Sequence, residues 1–308
     1  MLSIIIPTYN AEKHIGKLFQ KLYENLEYCD EKSEILLVDS SSTDDTVNLA
    51  REFGAKVCQI SKNEFDHGGT RSYAAKISNG DILIFFTQDA LLFDELSISN
   101  LISHFQDRDV GAVYGRQICY ENTNPFGRHL RLFNYPDEFL VKKYKDKSKY
   151  GIKTAFMSNS FCAYRKAALE KIGYFKERLI MGEDTYAGAL LLKAGYKIIY
   201  EPKAIVIHSH NYTVFEEFRR YFDIGVFHNS ERWLLEEFGS AHGEGKRYIK
   251  SELNFLIKNR QYLFLPEYIM RNLLKYTGYK LGMNYNILPK FLIRKFSMHK
   301  DWWNKRYE

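Results

Sequence analysis

The chain has 308 residues and a net charge of +6; 45% of the residues are hydrophobic and 27% are charged, as is ordinary for a globular protein with a sizeable core. Its four cysteines lack the spacing of a zinc site, and we expect reduced thiols rather than disulfides. There is no basic signal segment and no apolar run near the roughly 18 residues of a membrane span. We therefore expect a cytoplasmic protein that is neither exported nor integral to a membrane.

Strand and helix patterns alternate through the first hundred residues. Apolar, β-branched runs predict four strands: "LSIIIPTYN" (2–10), "SEILLVD" (33–39), "AKVCQIS" (55–61) and "DILIFF" (81–86). Helical spacing and capping residues predict helices between them, at 11–26, 43–54 and 68–80. Continuous apolar strands that alternate with helices favour an α/β fold with a mostly parallel sheet covered on both faces. Ligands of such sheets bind beyond the carboxyl ends of the strands, where "PTYN", "DSSS" and "TQDA" lie.

The pattern is less regular from about residue 110 onward. We predict a strand at 110–120, a strand and helix at 158–175, a helix ending at Gly195 and a further strand at 197–212. The charged stretch "VKKYKDKSKYG" (141–151) predicts an exposed, mobile loop. From about 213 the pattern is mostly helical, with interruptions at 239–245, Pro266 and Pro289.

Two polar segments follow strands in the nucleotide-binding position of such sheets. In "VDSSSTDD", one of Ser42, Thr43 and Asp44 is expected to cap a helix, whereas Asp39 lies at the strand end and could accept hydrogen bonds from a nucleobase or ribose. In "FDHGGTRSYAAK", two glycines and Arg71 stand at a helix N-terminus, an arrangement suited to phosphate oxygens. The alternative for the second segment is a glycine loop with a solvated arginine.

Three further groups of acids and histidines could carry chemistry. Asp89 emerges from a buried strand, where it could either cap a turn or hold Mg²⁺ or Mn²⁺ together with substrate phosphates. Glu183 and Asp184 suit the first turn of a helix, and one of them could also act as a general base. His208 and His210 share one face of a strand, as in a metal site or in ordinary packing.

Taken together and in this order, these segments resemble the family 2 glycosyltransferases, nucleotide-sugar-dependent enzymes with the GT-A fold. The match rests on "SIIIPTYN", "EILLVDSSSTDDT", the helix at 70–79 with "GDILIFFTQDA", "GEDTYAGALLLKAGYKIIYEP" and "VIHSHNY". "HGGTRSYAA", "FTQDA", "HSHNYTVFEEFRRYFDIGVFH" and "KYTGYKLGMNYNILPKFLIRKFSMHKDWW" are similar to bacterial rhamnosyltransferases and extend the resemblance over almost the whole chain. It implies a catalytic domain at 1–212, with a nucleotide-sugar half (about 1–105) and an acceptor half (about 106–212), before a helical region at 213–308.

The resemblance also implies roles for individual residues. The nucleotide sugar would be bound by Pro7, Thr8, Asn10, Asp39, Ser41, Arg71 and Gln88. Asp89 would take the place of the last acid of the family's D-x-D metal motif, with His208 near the same cation. Asp184, or its neighbour Glu183, would be the catalytic base. Thr87 departs from the family pattern, because most relatives have the first acid of the motif there.

The implied reaction is an inverting transfer of a sugar to an acceptor hydroxyl. The rhamnosyltransferase resemblance implies dTDP-rhamnose as donor, Mg²⁺ or Mn²⁺ as cofactor, and a growing, lipid-linked bacterial cell-surface polysaccharide as acceptor. The alternative within the family is another UDP- or GDP-sugar. An inactive relative that only binds nucleotide sugars is disfavoured because Glu183 and Asp184 are both present.

The last 63 residues differ from the rest in charge. Residues 246–308 carry 14 Lys/Arg, 4 Asp/Glu and 13 aromatic residues, which indicates contact with something anionic. Basic, aromatic helices suit an anionic membrane surface, so the enzyme could be peripheral on the inner face of the cell membrane. The alternatives are helices that pack back on the catalytic domain and a homodimer contact. Nucleic-acid binding is disfavoured because the segment has no RNP-like or helix-turn-helix pattern.

Overall fold

The computed structural model of the chain describes residues 1–240 and 243–307. Within those residues, nine strands form one sheet. They are β1 (Leu2–Thr8), β2 (Ser33–Asp39), β3 (Lys56–Gln59), β4 (Ile82–Phe86), β5 (Leu91–Leu92), β6 (Val110–Ile118), β7 (Leu140–Lys142), β8 (Phe161–Arg165) and β9 (Lys197–Ile207). The first four lie within the four segments that the apolar runs predict.

Fourteen α-helices are found in the same described ranges. They are α1 (Glu12–Glu27), α2 (Thr46–Glu52), α3 (His67–Ile77), α4 (Ser97–Ile102), α5 (Pro125–Asn134), α6 (Lys147–Tyr150), α7 (Lys166–Lys171), α8 (Glu183–Lys193), α9 (Val214–Ser230), α10 (Arg232–Phe238), α11 (Glu244–Lys258), α12 (Leu265–Met283), α13 (Lys290–Phe296) and α14 (Lys300–Tyr307). Short 3₁₀ turns connect some of them, at 103–106, 144–146, 151–154, 262–264 and 285–287.

The sheet has the strand order β3-β2-β1-β4-β8-β6-β9-β5, and β7 pairs with β9. Strands β1 to β4 are parallel, as predicted, whereas β8 runs antiparallel to both β4 and β6. Because β8 reverses direction between them, β4 and β6 point the same way, and β9 is parallel to β6. The carboxyl ends of β1, β2, β4, β6 and β9 therefore share one edge.

Both faces of the sheet are buried, as the continuous apolar strands predict. Successive side chains of a strand point to opposite faces, and Ile4 and Ile5 of β1 accordingly enter two different hydrophobic clusters, each with 0% exposure. The cluster that contains Ile5 extends to Phe222 of α9 and Trp303 of α14. The C-terminal helices thus share a core with the sheet.

Helices α9 and α12 are in close contact because glycines stand where their backbones meet. A Cβ atom on Gly278 would lie 2.5 Å from the carbonyl oxygen of Phe218, and one on Gly282 would collide with the carbonyl oxygen of Phe222. Between the two helices, the buried Glu217 carboxylate lies 3.1 Å from Arg271 and 3.4 Å from Lys275. None of the described helices is both long and apolar enough to cross a membrane.

The prediction of an exposed loop at 141–151 is wrong. Its first residues belong to β7, which pairs with β9, and α6 follows after a 3₁₀ turn. Lys142 is buried. Its ammonium group donates hydrogen bonds to the carbonyl oxygens of Phe156 and Lys153, at 2.7 and 3.3 Å. The same group lies 4.7 Å from the ring centre of Tyr114. These partners offset the cost of burying a lysine, and charge density along the sequence does not reveal them.

The predicted helix breaks coincide with helix boundaries. Pro266 is the second residue of α12, and Pro289 immediately precedes α13. Of the predicted interruption at 239–245, residues 241–242 lie outside the described residues, while α10 ends at Phe238 and α11 begins at Glu244. The capping prediction for 42–44 also holds, since Asp44 accepts a hydrogen bond from the first amide of α2 at 3.2 Å and one from the first amide of α1 at 3.1 Å.

Candidate active site

A large cleft of about 1710 Å³ lies at the shared carboxyl edge of the strands. Eight of the eleven residues that the sequence nominates line it: Pro7, Thr8, Arg71, Gln88, Asp89, Glu183, Asp184 and His208. They come from the end of β1, from the segments after β4 and β9, and from the N-terminal halves of α3 and α8. The topology thus collects residues that are up to 201 positions apart in the sequence.

Asn10, Asp39 and Ser41 are not among the residues that line this cleft. Asp39 is fully buried, and its carboxylate accepts hydrogen bonds from Thr8 Oγ1 and from the amide and hydroxyl of Ser42. Asn10 Oδ1 accepts from the amide of Thr43, and the Ser41 hydroxyl donates to a backbone carbonyl. These three residues hold the loops after β1 and β2 in place, and their contact with a nucleotide remains a prediction.

Gln88 joins two of the loops around the cleft. Its side-chain carbonyl accepts from the amide of Tyr9 at 2.9 Å, and its side-chain amide donates to the Tyr9 carbonyl at 3.2 Å. Through this pair of bonds it ties the turn after β4 to the segment after β1. Thr8, at the end of β1, lies beside Tyr9 and lines the cleft. The strand-end segment "TQDA" therefore supports the neighbouring loop as well as presenting Asp89.

Asp89, His208 and His210 form a compact group in the wall of the cleft. The Nε2 atoms of His208 and His210 lie 3.5 and 4.0 Å from Asp89 Oδ2, and one potential ligand atom from each residue lies within 4.8 Å of the others. Burial lowers the pKa of both imidazoles, that of His210 to about 4, so both are neutral near pH 7. Neutral imidazoles and a carboxylate are a fitting donor set for a divalent cation.

The orientation of His208 is fixed by a chain of hydrogen bonds from β6. Gln117 donates from its side-chain amide to Ser158 Oγ at 2.9 Å, which turns its carbonyl oxygen toward His208 Nδ1, also at 2.9 Å. Because that oxygen can only accept, Nδ1 carries the proton and the Nε2 lone pair faces Asp89. Gln117 is not among the residues predicted for the site, since only the pairing of β6 with β9 places it beside His208.

Glu183 and Asp184 are the first two residues of helix α8, and they follow a backbone position that favours glycine. Gly182 has φ of +81°, a conformation that L side chains rarely adopt, and the chain then enters α8 with Glu183 and Asp184 in its first turn. Asn159 holds both acids: its side-chain amide donates to Glu183 Oε1 at 3.1 Å, and its backbone amide donates to Asp184 Oδ2 at 3.3 Å. The sequence analysis missed Asn159 because nothing in its local pattern marks it.

The two acids differ in their protonation. Although burial acts to raise the pKa of Glu183, the Arg71 charge, 3.3 Å away, holds that pKa below its ordinary value. Burial and the negative charge of Glu183 raise the pKa of Asp184 to about 7. Neighbouring acids with pKa values pushed apart are typical of acid–base sites. Arg71, predicted near a diphosphate, is thus the ion-pair partner of Glu183, and its contact with a donor remains a prediction.

The C-terminal helices contribute a wall of the cleft that the sequence analysis did not predict as part of the site. The cleft is lined on this side by five residues near the C-terminus: His299, Lys300, Trp302, Lys305 and Arg306. Trp302 donates from Nε1 to the carbonyl oxygen of Arg178 at 3.1 Å, and Lys305 donates to that of Phe65 at 3.0 Å. Helix α14 therefore packs against the segments that precede α3 and α8. Packing of the C-terminal helices on the rest of the chain is one of the two alternatives to membrane contact that the sequence left open.

The fold with this cleft is that of the GT-A glycosyltransferases. The structure superposes with a TM-score of 0.59 on a mannosyltransferase from Pyrobaculum calidifontis solved in complex with GDP-Man and Mn²⁺, at 18% identity, covering 98% of this chain and 84% of that one. With residues 1–349 of TarS from Staphylococcus aureus the TM-score is 0.54, at 15% identity, covering 92% and 90%. These similarities confirm the predicted fold class.

Sequence comparison then gives the family. Residues 3–173 match the family model described as glycosyl transferase family 2. The chain is 43% identical to the O-antigen chain rhamnosyltransferase RfbN of Salmonella typhimurium over 305 residues, 98% of this chain and 96% of the relative. It is also 43% identical to the O-antigen chain rhamnosyltransferase WbaN of Salmonella anatum, over 98% and 95%. The protein belongs to glycosyl transferase family 2 and is a glycosyltransferase enzyme, as the sequence motifs predict.

Proposed function

We propose that the enzyme transfers rhamnose from dTDP-rhamnose to a hydroxyl group of a growing bacterial cell-surface polysaccharide, with inversion at the anomeric carbon. The observation that carries the proposal is the 43% identity to two O-antigen chain rhamnosyltransferases along nearly the whole of both chains. The cleft agrees with it, because an acid pair, Glu183 and Asp184, and a group of potential cation ligands line the same space.

Asp184 is the residue best suited to be the base. Its pKa near 7 lets it be deprotonated at neutral pH and still accept a proton readily. In the proposed step, the acceptor oxygen forms a bond to the anomeric carbon while the bond from that carbon to the diphosphate oxygen breaks. The hydroxyl proton passes to Asp184, and the nucleoside diphosphate leaves with the electron pair. Glu183 stays ionised beside Arg71 and keeps the pKa of Asp184 high.

Asp89, His208 and His210 would hold the divalent cation. The fit rests on the Nε2 lone pair of His208, which Gln117 turns toward Asp89, and on the neutral state of both imidazoles. Two imidazoles and one carboxylate suit Mn²⁺ better than Mg²⁺, which prefers oxygen ligands. When bound, the cation supplies positive charge for the leaving diphosphate. Thr87 stands where most relatives have an acid that could bind the cation. In this chain His210 would supply a ligand instead.

The role of Asp184 is tested with Asp184→Asn, which keeps the shape of the side chain and removes the base. Transfer from dTDP-rhamnose should fall by about 10²- to 10⁴-fold, while the affinity for dTDP in the presence of Mn²⁺, measured by calorimetry, stays within about twofold. The control is Asp301→Asn, since Asp301 is an exposed acid at the same cleft. Near-normal transfer by Asp184→Asn would remove this residue from the role. UDP- and GDP-sugars, tested beside dTDP-rhamnose, decide the donor.

We also propose that the acceptor is lipid-linked and that the C-terminal region contacts an anionic membrane surface. The segment 262–276 exposes a set of apolar side chains, here called the α12 face: Tyr262, Leu263, Ile269, Met270, Leu273 and Tyr276. Leu263 is 94% exposed, and Ile269, Leu273 and Tyr276 follow one another at helical spacing. The opposite side of α12 packs against α9, so the α12 face is exposed to solvent and could contact a partner.

The charge around the α12 face favours lipid over a second copy of the chain. Between positions 258 and 295 the one acid is Glu267, and Arg271 lies 2.6 Å from it in an ion pair. The exposed basic residues of this segment are Lys258, Arg260, Lys280, Lys290, Arg294 and Lys295. Two copies meeting through such faces would repel each other, whereas an anionic bilayer attracts both the cations and the apolar side chains.

A vesicle flotation assay tests the membrane proposal. The protein should float with vesicles that contain anionic lipid, and less with zwitterionic vesicles or at high salt. The double variant Leu263→Ser, Leu273→Ser should lose most of this binding, whereas Leu96→Ser, a change at another exposed leucine, should not. If the double variant floats as well as the native protein, the α12 face is not the contact. If instead the native protein forms a dimer in sedimentation that this variant abolishes, the partner is a second copy.

A further inference from the structure

Among the described residues, two arginines of the cleft form no ion pair with an acid. Arg131 is on α5 and Arg220 on α9, and both line the cleft. Neither guanidinium group makes a hydrogen bond or an ion pair within the described part of the chain. Each lies instead near an aromatic ring, Arg131 at 5.8 Å from the ring centre of Tyr135 and Arg220 at 5.7 Å from that of Tyr212.

Arg131 and Arg220 are half-buried, and they differ from the two fully buried arginines, Arg71 and Arg271, which are paired with acids. Arg71 is paired with Glu183, and Arg271 is paired with both Glu217 and Glu267. A guanidinium that loses water without gaining an acid is costly, and proteins ordinarily pair it. Burial lowers the pKa of Arg131, and the nearby charge of Arg220 adds to this effect. The charge of Arg220 thus opposes that of Arg131, and an anion bound in the cleft near both would be attracted by both.

The position of the pair in the fold restricts what that anion can be. Arg131 follows β6 and Arg220 follows β9, so both belong to the side of the sheet away from β1, β2 and β3, where the nucleotide is expected. The ring of Tyr212, beside Arg220, lies 5.2 Å from the ring of His210, a member of the candidate cation site. Arg220 is therefore close to the candidate cation site, and Arg131 lines the same cleft.

We propose that Arg131 and Arg220 form a phosphoryl-binding subsite that takes a phosphate or diphosphate ester of one of the two substrates. The planar, forked guanidinium matches phosphate oxygens, and its bonds to them are charge-assisted. The aromatic rings of Tyr135 and Tyr212 hold the two groups in position without competing for their N–H donors. This inference rests on the proposed sugar transfer for the identity of the ester: it is the donor's diphosphate or a phosphate carried by the acceptor.

The test uses Arg131→Gln, Arg220→Gln and the double variant, with Arg219→Gln as the matched control. Arg219 precedes Arg220 on α9 and does not line the cleft, so its loss removes the same charge without touching the subsite. Since neither arginine of the pair makes an ion pair within the described ranges, the thermal unfolding temperatures of the variants should stay close to that of the native protein. Arg131→Lys and Arg220→Lys keep the positive charge but lose the planar guanidinium group. They therefore distinguish the contribution of the paired N–H donors from that of the charge alone.

Two measurements distinguish the source of the phosphoryl group. The first is the calorimetric affinity for dTDP, UDP and GDP with Mn²⁺, which needs no transfer activity. A loss of about tenfold or more in each glutamine variant identifies the donor diphosphate. The second is KM for two synthetic acceptors with the same glycan, one with a diphosphate at its reducing end and one without. A KM that rises about tenfold for the diphosphate acceptor alone, with unchanged nucleotide affinity, identifies the acceptor.

The outcomes separate this inference from the proposed function. If no rhamnose is transferred by the native enzyme, the proposed function fails, yet the nucleotide affinities still report on the arginine pair. If neither nucleotide affinity nor the KM of either acceptor changes in the double variant, the subsite does not exist. Equal losses in Arg219→Gln would also overturn it, because general positive charge on α9 would then explain the binding.

Discussion

Replacing Glu183 by glutamine tests whether the neighbouring acid sets the basicity of Asp184. Burial and the charge of Glu183 raise the pKa of Asp184 to about 7, and a base works only when deprotonated. In Glu183→Gln the like charge is gone, and Arg71, released from an ion pair at 3.3 Å, stabilises the ionised Asp184 instead. Both changes lower the pKa of Asp184, and a close charge shifts such a pKa by about one unit or more.

The magnitude follows from the protonation of Asp184. With a pKa of about 7, roughly a tenth of the enzyme has the base ionised at pH 6, and with a pKa lower by about one unit roughly half has it ionised. The acid limb of kcat/KM against pH should therefore move down by about one unit, and activity at pH 6 relative to the plateau should rise about fivefold. The plateau itself should fall, because the base is weaker.

The assay is initial-rate transfer across pH 5 to 9, with a glutamine variant of an exposed acid at the same cleft, Glu177→Gln, as the control. The control should keep the acid limb of the native enzyme, because solvent screens its charge. An acid limb at the same pH in Glu183→Gln would show that Asp184 is not the titrating base or that Glu183 does not govern it. An acid limb shifted equally in both variants would point to the net charge of the cleft.

Three further outcomes follow from the geometry. His210→Ala should weaken Mn²⁺ binding about tenfold or more in calorimetry of the metal alone, and an unchanged affinity would remove His210 from the cation site. Gly278→Ala should lower the free energy of unfolding in urea by about 1–3 kcal/mol, because its Cβ would lie 2.5 Å from the Phe218 carbonyl oxygen; equal stability would mean that α9 and α12 separate freely. Burial raises the pKa of Asp223 to about 7, so this group stabilises the fold below its ordinary pKa and the contribution is lost as pH rises through about 7. Asp223→Asn should therefore reduce the loss of unfolding free energy between pH 5 and 8, and an unchanged pH profile would contradict the shift.

Local sequence patterns predicted the first half of the fold well. The runs around Ile4, Leu37 and Ile84 are apolar without interruption because parallel strands are covered on both faces, and that pattern is visible without any tertiary information. The strand ends could be located in the same way, since polar residues stop each run. Asp89 and the acid pair at 183–184 could therefore be nominated from their position alone, and the structure brings them to one cleft.

Residues that act through partners distant in sequence could not be found in this way. Gln117 orients His208 because β6 lies beside β9, and Asn159 reaches both acids of α8 across the sheet edge. Neither has a local pattern that distinguishes it from an ordinary polar residue. Lys142 was expected in an exposed loop for the same reason, because the carbonyl oxygens that hold its charge belong to residues 153 and 156.

The sequence by itself determined the class of protein, the first four strands with the helices between them, and the acids that carry the proposed chemistry. These depend on side-chain type and on periodicities of a few residues, which the chain displays directly. Only the tertiary structure decided the protonation of Asp184, the third member of the candidate cation site, the wall built by α14 and the two arginines without acid partners. Those properties arise from burial and from charges brought within a few ångströms, and both are products of the folded topology.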